Sequence, residues 1–173
     1  ARGLGRGDVV AVLAPNLPEV FELHFAVPLA GGVLSTINTR LEPETVAYIL
    51  SHSEAQVVIV DTALRGLLDA ALAQCDTTPE VIEIVDVAPG TGAPTYDDLL
   101  AQAVDPTLSG PVDEWQPLAL NYTSGTSGRP KGVVYHHRGA YLNAMGQVLS
   151  WRLTLYPVYL VIVPLFHCNN WCH

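Results

Sequence analysis

The sequence predicts an α/β fold, parallel-sheet layers with flanking helices, and three observations carry that prediction. Short, nearly unbroken apolar runs recur at 8–14, 33–37, 56–60 and 81–85, the pattern of strands buried on both faces. Segments with the apolar spacing of helices separate them, and this alternation implies right-handed crossovers between parallel strands. The 173 residues are 49% hydrophobic, enough to build the core of one domain.

Each element follows from local chemistry. The run 8–14 opens the sheet, and a helix comes next. Asn16 can cap it, Pro18 suits a first turn that needs no backbone donor, and Glu19 completes a capping-box spacing; Gly31 and Gly32 end it. Leu17, Val20, Phe21 and Val27 are expected on its buried side. Strand 33–37, helix 44–52 and strand 56–60 follow, then a helix over 62–75 with Leu64, Leu67, Leu68 and Leu72, and strand 81–85. A loop rich in Pro, Gly and Thr occupies 86–95, a short helix 96–103, and a polar connection with Pro106, Gly110, Pro111 and Asp113 the stretch up to 116. Strands at 118–122 and 132–135 flank a loop of Gly, Ser and Thr; a helix over 137–150 and a strand over 158–163 complete the series. No internal repeat and no shift in composition divides the chain, so one domain is expected.

Composition excludes several function classes. Seventeen Asp and Glu against eight Lys and Arg leave a formal charge of -9, so a phosphate-neutralising face for nucleic acid is not expected. The longest apolar run, 158–166, is interrupted by Pro164 and is far shorter than the roughly 20 residues that span a bilayer, so no transmembrane segment is expected. It is also a place where copies of the chain could associate into a homo-oligomer. Cys75, Cys168 and Cys172 are odd in number and too few for a disulfide scaffold, which fits free thiols in a cytoplasmic protein. Residues 1–7 show neither an initiator Met nor the apolar core of a signal peptide, and the chain is expected to be a piece of something longer.

The chemistry concentrates at 122–132, YTSGTSGRPKG. Gly125 and Gly128 permit positive φ and close backbone approach to a ligand. Thr123, Ser124, Thr126 and Ser127 add hydroxyls to the amide donors, and Lys131 adds a compact positive charge. Successive amides in turn conformations form an anion-binding concavity, which suits the phosphates of a nucleotide. A Gly/Ser/Thr loop is otherwise a flexible connection, but here an apolar strand stands on each side and a lysine closes it. It is not a Walker A loop, because Lys131 is followed by Gly132 and another strand in place of a hydroxyl residue and a helix.

All the fixed positions of the motif [YF]-T-S-G-[ST]-[ST]-G-x-P-K-G are met, with Arg129 at the variable one, and on these residues the chain resembles the acyl-adenylate-forming superfamily. The stretches at 5–16 (GRGDVVAVLAPN), 29–43 (LAGGVLSTINTRLEP) and 48–53 (YILSHS) resemble the same family; 136–144 (HHRGAYLNA) and 164–172 (PLFHCNNWC) are most similar to its acyl-CoA synthetase branch. One departure is Asn170, where that branch has glycine; Asn is the least costly substitute if the backbone there is left-handed.

The resemblance implies that residues 1–173 form the N-terminal part of an AMP-binding adenylation domain, without the C-terminal domain. It implies an AMP-forming ligase that joins a carboxylic acid, expected to be a fatty acid, to ATP as acyl-adenylate and then to coenzyme A, with Mg²⁺ assisting. On this reading Thr123, Ser124, Gly125, Thr126, Ser127, Gly128 and Lys131 bind ATP, and Lys131 also stabilises the departing pyrophosphate. His167 lies beside the acyl carboxylate and α-phosphate as the catalytic residue of the acid side, and Cys168, Asn170 and Trp171 line the substrate pocket. Turnover by the 173 residues alone is not expected. A non-catalytic nucleotide-binding or interaction module, or an inactive fragment, stays open as the alternative.

The segment 167–173, HCNNWCH, also has two Cys and two His that could satisfy tetrahedral zinc. Structural zinc sites take their ligand pairs from two distant segments, and no second segment has such a pair, so no metal site is expected. His136 and His137 stand at a helix start as a cap or a solvent-facing imidazole, Cys75 is expected to act as a small buried hydrophobe, and Arg40 is given no catalytic role.

Overall fold

Val9–Leu13 (β1) is central because both of its faces are covered, and its VVAVL sequence reflects that. Val10 and Val12 enter one hydrophobic core, Ala11 and Leu13 the other. The computed structural model describes residues 4–104, 111–123, 128–167 and 169. In chain order β1 is followed by α1 (Pro18–Leu29), β2 (Val33–Thr36), α2 (Pro43–His52) and β3 (Val57–Asp61). A 3₁₀ turn (Thr62–Leu64), α3 (Arg65–Leu72), β4 (Glu80–Ile84) and α4 (Tyr96–Ala101) come next. The remaining elements are β5 (Pro117–Thr123), β6 (Lys131–His136) and α5 (His137–Ser150).

The strands form one sheet in the order β4-β3-β1-β2-β5-β6. All neighbours are parallel except β5 and β6, which pair antiparallel as a hairpin. The crossover through α1 runs from β1 to β2, and the crossover through α2 runs back past β1 to β3. Two right-handed crossovers in opposite directions leave on opposite faces, so α1 packs on one core and α2 and α3 on the other. The connections that leave β1 and β3 lead away from each other, so the topological switch point of this strand order lies beyond the carboxyl ends of β1 and β3.

The structure departs from several sequence expectations. Asn16 does not cap α1: the cap position is Leu17 and no side chain bonds there. Phe21 is 54% exposed, because Val20, Leu23, His24 and Val27 form the inward stripe and Phe21 sits about 100° round the helix from Val20. It meets Phe25 edge-on instead. The helix expected over 62–75 is interrupted, since Asp61 accepts a hydrogen bond from the Ala63 amide at 2.9 Å and holds the first residues in a 3₁₀ turn. The strand expected over 158–163 does not form; Val158, Leu160 and Ile162 are exposed and the segment makes no ladder. An apolar run becomes a strand only where a neighbouring edge accepts its backbone, and 158–163 pairs with neither outer strand of the sheet, β4 or β6. Exposed apolar side chains also line α5, among them Tyr141, Leu142 and Leu149.

One buried charge stiffens the far side of the sheet. Glu83 on β4 has no exposure and accepts hydrogen bonds from Arg65 Nη1 at 2.6 Å, from the Thr91 amide at 2.8 Å and from the Thr91 hydroxyl. Burial pushes its carboxyl up, but the Thr91 and Arg65 donors outweigh that and hold it below the ordinary glutamate range. A carboxyl lowered in the folded state stabilises the fold above the unfolded value of about 4.3 and loses that contribution as pH falls through the native value. Urea unfolding midpoints should therefore drop between pH 7 and pH 3.5 in the parent. Glu83→Gln should lose roughly 3 kcal/mol at pH 7 and show a flatter acid dependence. Equal pH slopes for the two proteins would refute this role for Glu83.

Candidate functional site

The β5–β6 hairpin sets the ends of the glycine-rich loop. Its register places Thr123 opposite Lys131 and Tyr122 opposite Gly132, so the loop leaves and re-enters the sheet at adjacent points. Thr123, Gly128 and Lys131 are exposed. Ser124, Gly125, Thr126 and Ser127 lie outside the described residues. The motif's glycines serve different ends. Gly128 has φ of 122° with open space where a Cβ would be, so its requirement is conformational. At Gly132 a Cβ would come 2.9 Å from Leu120 Cδ1, so a side chain there would push the end of Leu120 aside, and 3.5 Å from Tyr122 Cζ, an ordinary contact.

The loop's flanks are anchored on α2. The Tyr122 hydroxyl and His52 Nδ1 are hydrogen-bonded at 2.8 Å, and the Arg129 guanidinium stands 5.3 Å from the centre of the Tyr48 ring. Burial, then the neighbouring Tyr48, pushes the Tyr122 phenol up to about 12, so it stays protonated at neutral pH. Arg129, the motif's variable position, thus has an aromatic partner on α2, while Lys131 stands at the mouth of the hairpin.

The segment after Pro164 crosses the carboxyl ends of β1 and β2. Asn16, in the β1–α1 turn, donates from Nδ2 to the Val163 carbonyl at 3.1 Å and accepts the Leu165 amide on Oδ1 at 2.7 Å. Its amide is engaged in this two-point clamp, which is why it does not cap α1. Leu165 then enters the core with α1, at 6% exposure. His24 on α1 donates from Nδ1 to the Val20 carbonyl at 2.7 Å; burial lowers its pKa against the influence of that bond and of the Leu165 backbone, favouring the neutral ring. His167 closes a turn onto the Pro164 carbonyl through its amide, at 2.8 Å, and is exposed. Two residues on, Asn169 is buried with φ of 53°, and its Oδ1 accepts the Thr36 hydroxyl at 2.9 Å. Cys168, Asn170 and Trp171 lie outside the described residues.

The arrangement therefore exposes Thr123, Gly128 and Lys131 on the hairpin and His167 on the clamped segment. Sequence reading passed over Asn169, Thr36 and Asn121, whose partners are 85 or more residues away along the chain. The Asn169–Asn170 pair was the only local hint, because Asn tolerates left-handed backbone. His136 serves as a cap, its Nδ1 accepting the Gly139 amide at 2.9 Å. Cys75 is a free thiol, half-buried against the α2–α3 core, and burial raises its pKa. Among the described residues no three His, Cys, Asp or Glu side chains gather as a metal cluster, and no helix is long and apolar enough to cross a membrane. A cavity of about 650 Å³ between α1, α5 and 151–159 is lined chiefly by apolar side chains such as Phe25, Leu29, Tyr141 and Trp151, and shares no residue with the hairpin loop or the clamped segment.

Comparison with known proteins matches residues 1–173 to the family described as AMP-binding enzyme. A peroxisomal acetate/butyrate–CoA ligase of Arabidopsis thaliana is 43% identical over 189 residues, covering 99% of this chain and 33% of the relative. A peroxisomal trans-cinnamate:CoA ligase of Petunia hybrida is 43% identical, covering 96% of this chain and 33% of its own length. The chain thus spans about a third of the length of these relatives. Among solved structures, ATP-bound MatB from Rhodopseudomonas palustris superposes with a TM-score of 0.80 at 28% identity, covering 98% of this chain and 32% of that one.

The Asn16 clamp makes a local prediction. Asn16→Ala removes both side-chain bonds to 163–165 and should speed hydrogen exchange at the Leu165 amide while β1 and β3 amides stay protected, with a global loss of about 1–2 kcal/mol. Unchanged protection at Leu165 would show that the clamp does not hold the segment.

Proposed function

The chain belongs to the AMP-binding enzyme family, and on that footing we propose that it supplies the phosphate loop and part of the acyl pocket of an ATP-dependent carboxylic acid–CoA ligase. The observation that carries the reading is the hairpin register, which sets Thr123 and Lys131 opposite each other at the mouth of a loop with a glycine at φ of 122°. The names of the relatives, an acetate/butyrate–CoA ligase and a trans-cinnamate:CoA ligase among them, support an acid–CoA ligase, and butyrate serves as the test acid.

The chemistry follows from charge. A carboxylate is a poor electrophile, so one of its oxygens attacks the α-phosphorus of ATP; the bond to the bridging oxygen breaks and pyrophosphate leaves with the electron pair. The mixed anhydride then has an activated acyl carbon. Attack by the sulfur of coenzyme A forms the thioester and releases AMP, the thiol proton passing to base. In this scheme Thr123, Ser124, Gly125, Thr126, Ser127 and Gly128 offer amide and hydroxyl donors to the terminal phosphates, and Lys131 neutralises charge that grows on pyrophosphate. His167 donates a hydrogen bond to the acid as it approaches, and Cys168, Asn170 and Trp171 line its pocket. Mg²⁺ accompanying ATP would add neutralising charge at the departing pyrophosphate, beside Lys131 and the hydroxyls of the glycine-rich loop.

The free Cys75 suits a reducing compartment, and the cytoplasm is the proposed location; the two plant relatives are named peroxisomal, and localisation of a tagged protein separates the two. The activity is tested in the gene product that contains this chain, by acid-dependent exchange of pyrophosphate into ATP with butyrate as the acid. Lys131→Ala should lower kcat/KM for ATP about tenfold to a hundredfold, the effect of losing a charge-assisted contact, and change KM for the acid much less. His167→Ala should lower the adenylation rate. Unchanged ATP kinetics in Lys131→Ala would overturn the loop assignment, and absence of exchange in the parent would favour a non-catalytic nucleotide-binding module.

A further inference from the structure

A buried polar node joins the two halves of the candidate site. Thr36, the last residue of β2, is 6% exposed; Asn121 on β5 is 8% and Asn169 2%. The Thr36 hydroxyl donates to Asn169 Oδ1 at 2.9 Å and also lies 3.3 Å from Asn121 Oδ1. A hydroxyl has one proton, so it serves one of these acceptors at a time and the shorter contact is favoured. Asn121 Nδ2 is buried with no hydrogen-bond partner among the described residues. Three polar side chains buried together must match one another's donors and acceptors, which fixes their relative geometry.

Its position gives that geometry a use. Asn121 stands two residues before Thr123 on the strand that leads into the glycine-rich loop, and Asn169 two residues after His167. Thr36 ends the strand between β1 and β5, at the carboxyl end of the sheet that the 163–169 stretch crosses. We propose that Thr36 is a positioning residue for the acid-binding segment, its hydroxyl setting the 164–169 segment against the strand that carries the phosphate loop. The proposal rests on the ligase reading for its kinetic consequence but not for its structural one. The Asn16 clamp grips the segment at 163–165, upstream of His167, and the Thr36–Asn169 bond grips it downstream, so His167 is held between two fixed points. Releasing the downstream point should disturb where the acid meets the α-phosphate and leave nucleotide binding in place.

The test compares Thr36→Val, which keeps the shape and removes the hydroxyl, with Thr36→Ser, which keeps the hydroxyl, in the gene product that contains this chain. Thr36→Val should raise KM for butyrate about threefold to tenfold, the effect of one hydrogen bond, with KM for ATP unchanged, and Thr36→Ser should restore the parent value. Hydrogen exchange should quicken at 165–169 in Thr36→Val and not at β1. Asn169→Gly removes the acceptor but tolerates the left-handed backbone, so it should reproduce the Thr36→Val phenotype, and the double variant should add little. This second variant stands in if Thr36→Val does not fold. Parent-like exchange at 165–169 in both variants, or an equal rise in KM for ATP and for butyrate, would overturn the proposal. If the parent itself shows no acid-dependent activity, the ligase reading fails separately, and the exchange measurement alone decides whether Thr36 positions the segment.

Discussion

Burial of β1 on both faces is the constraint from which the rest of the architecture follows. A strand covered above and below must have apolar side chains at every position, and it must receive its neighbours by crossovers that return on alternate faces. With β2 on one side and β3 on the other, the connections after β1 and β3 lead away from each other, and the switch point of the sheet lies between those two strands. Asn16 and Thr36 stand at the carboxyl ends of β1 and β2, where these strands run out of sheet and their side chains reach the 163–169 stretch.

Two buried polar clusters serve different ends within this frame. The Glu83, Arg65 and Thr91 group is saturated, with the carboxylate oxygens taken by charged or hydroxyl and amide donors, and it fastens the loop before α4 to α3 and β4. The Thr36, Asn121 and Asn169 group joins segments far apart in sequence. Buried polar networks fix the relative geometry of the segments they join.

The hairpin shows why a short motif combines several requirements. Gly128 is needed for a backbone conformation, Gly132 for the space that the end of Leu120 takes up, and Tyr122 and Arg129 for their contacts with α2. The motif therefore couples a donor-rich loop to a rigid antiparallel ladder, and the ladder delivers Thr123 and Lys131 to the same end of the sheet.

The sequence by itself determined the fold class, the order of elements and the family, because buried parallel strands and the YTSGTSGRPKG motif are local patterns. It located Thr123, Gly128 and Lys131 on one loop and His167 on another. It also assigned Asn16 to a helix cap and 158–163 to a strand, and both failed for the same reason: a side-chain amide or an apolar run can be satisfied locally or at a distance, and only the folded chain says which partner is within reach. The tertiary structure alone decided that Asn16 grips 163–165, that β6 returns antiparallel to β5, and that Thr36, Asn121 and Asn169 meet. The Asn16 and Thr36 contacts join residues 85 to 149 positions apart, and periodicity holds no information about pairings at that separation, which the crossovers of the sheet impose.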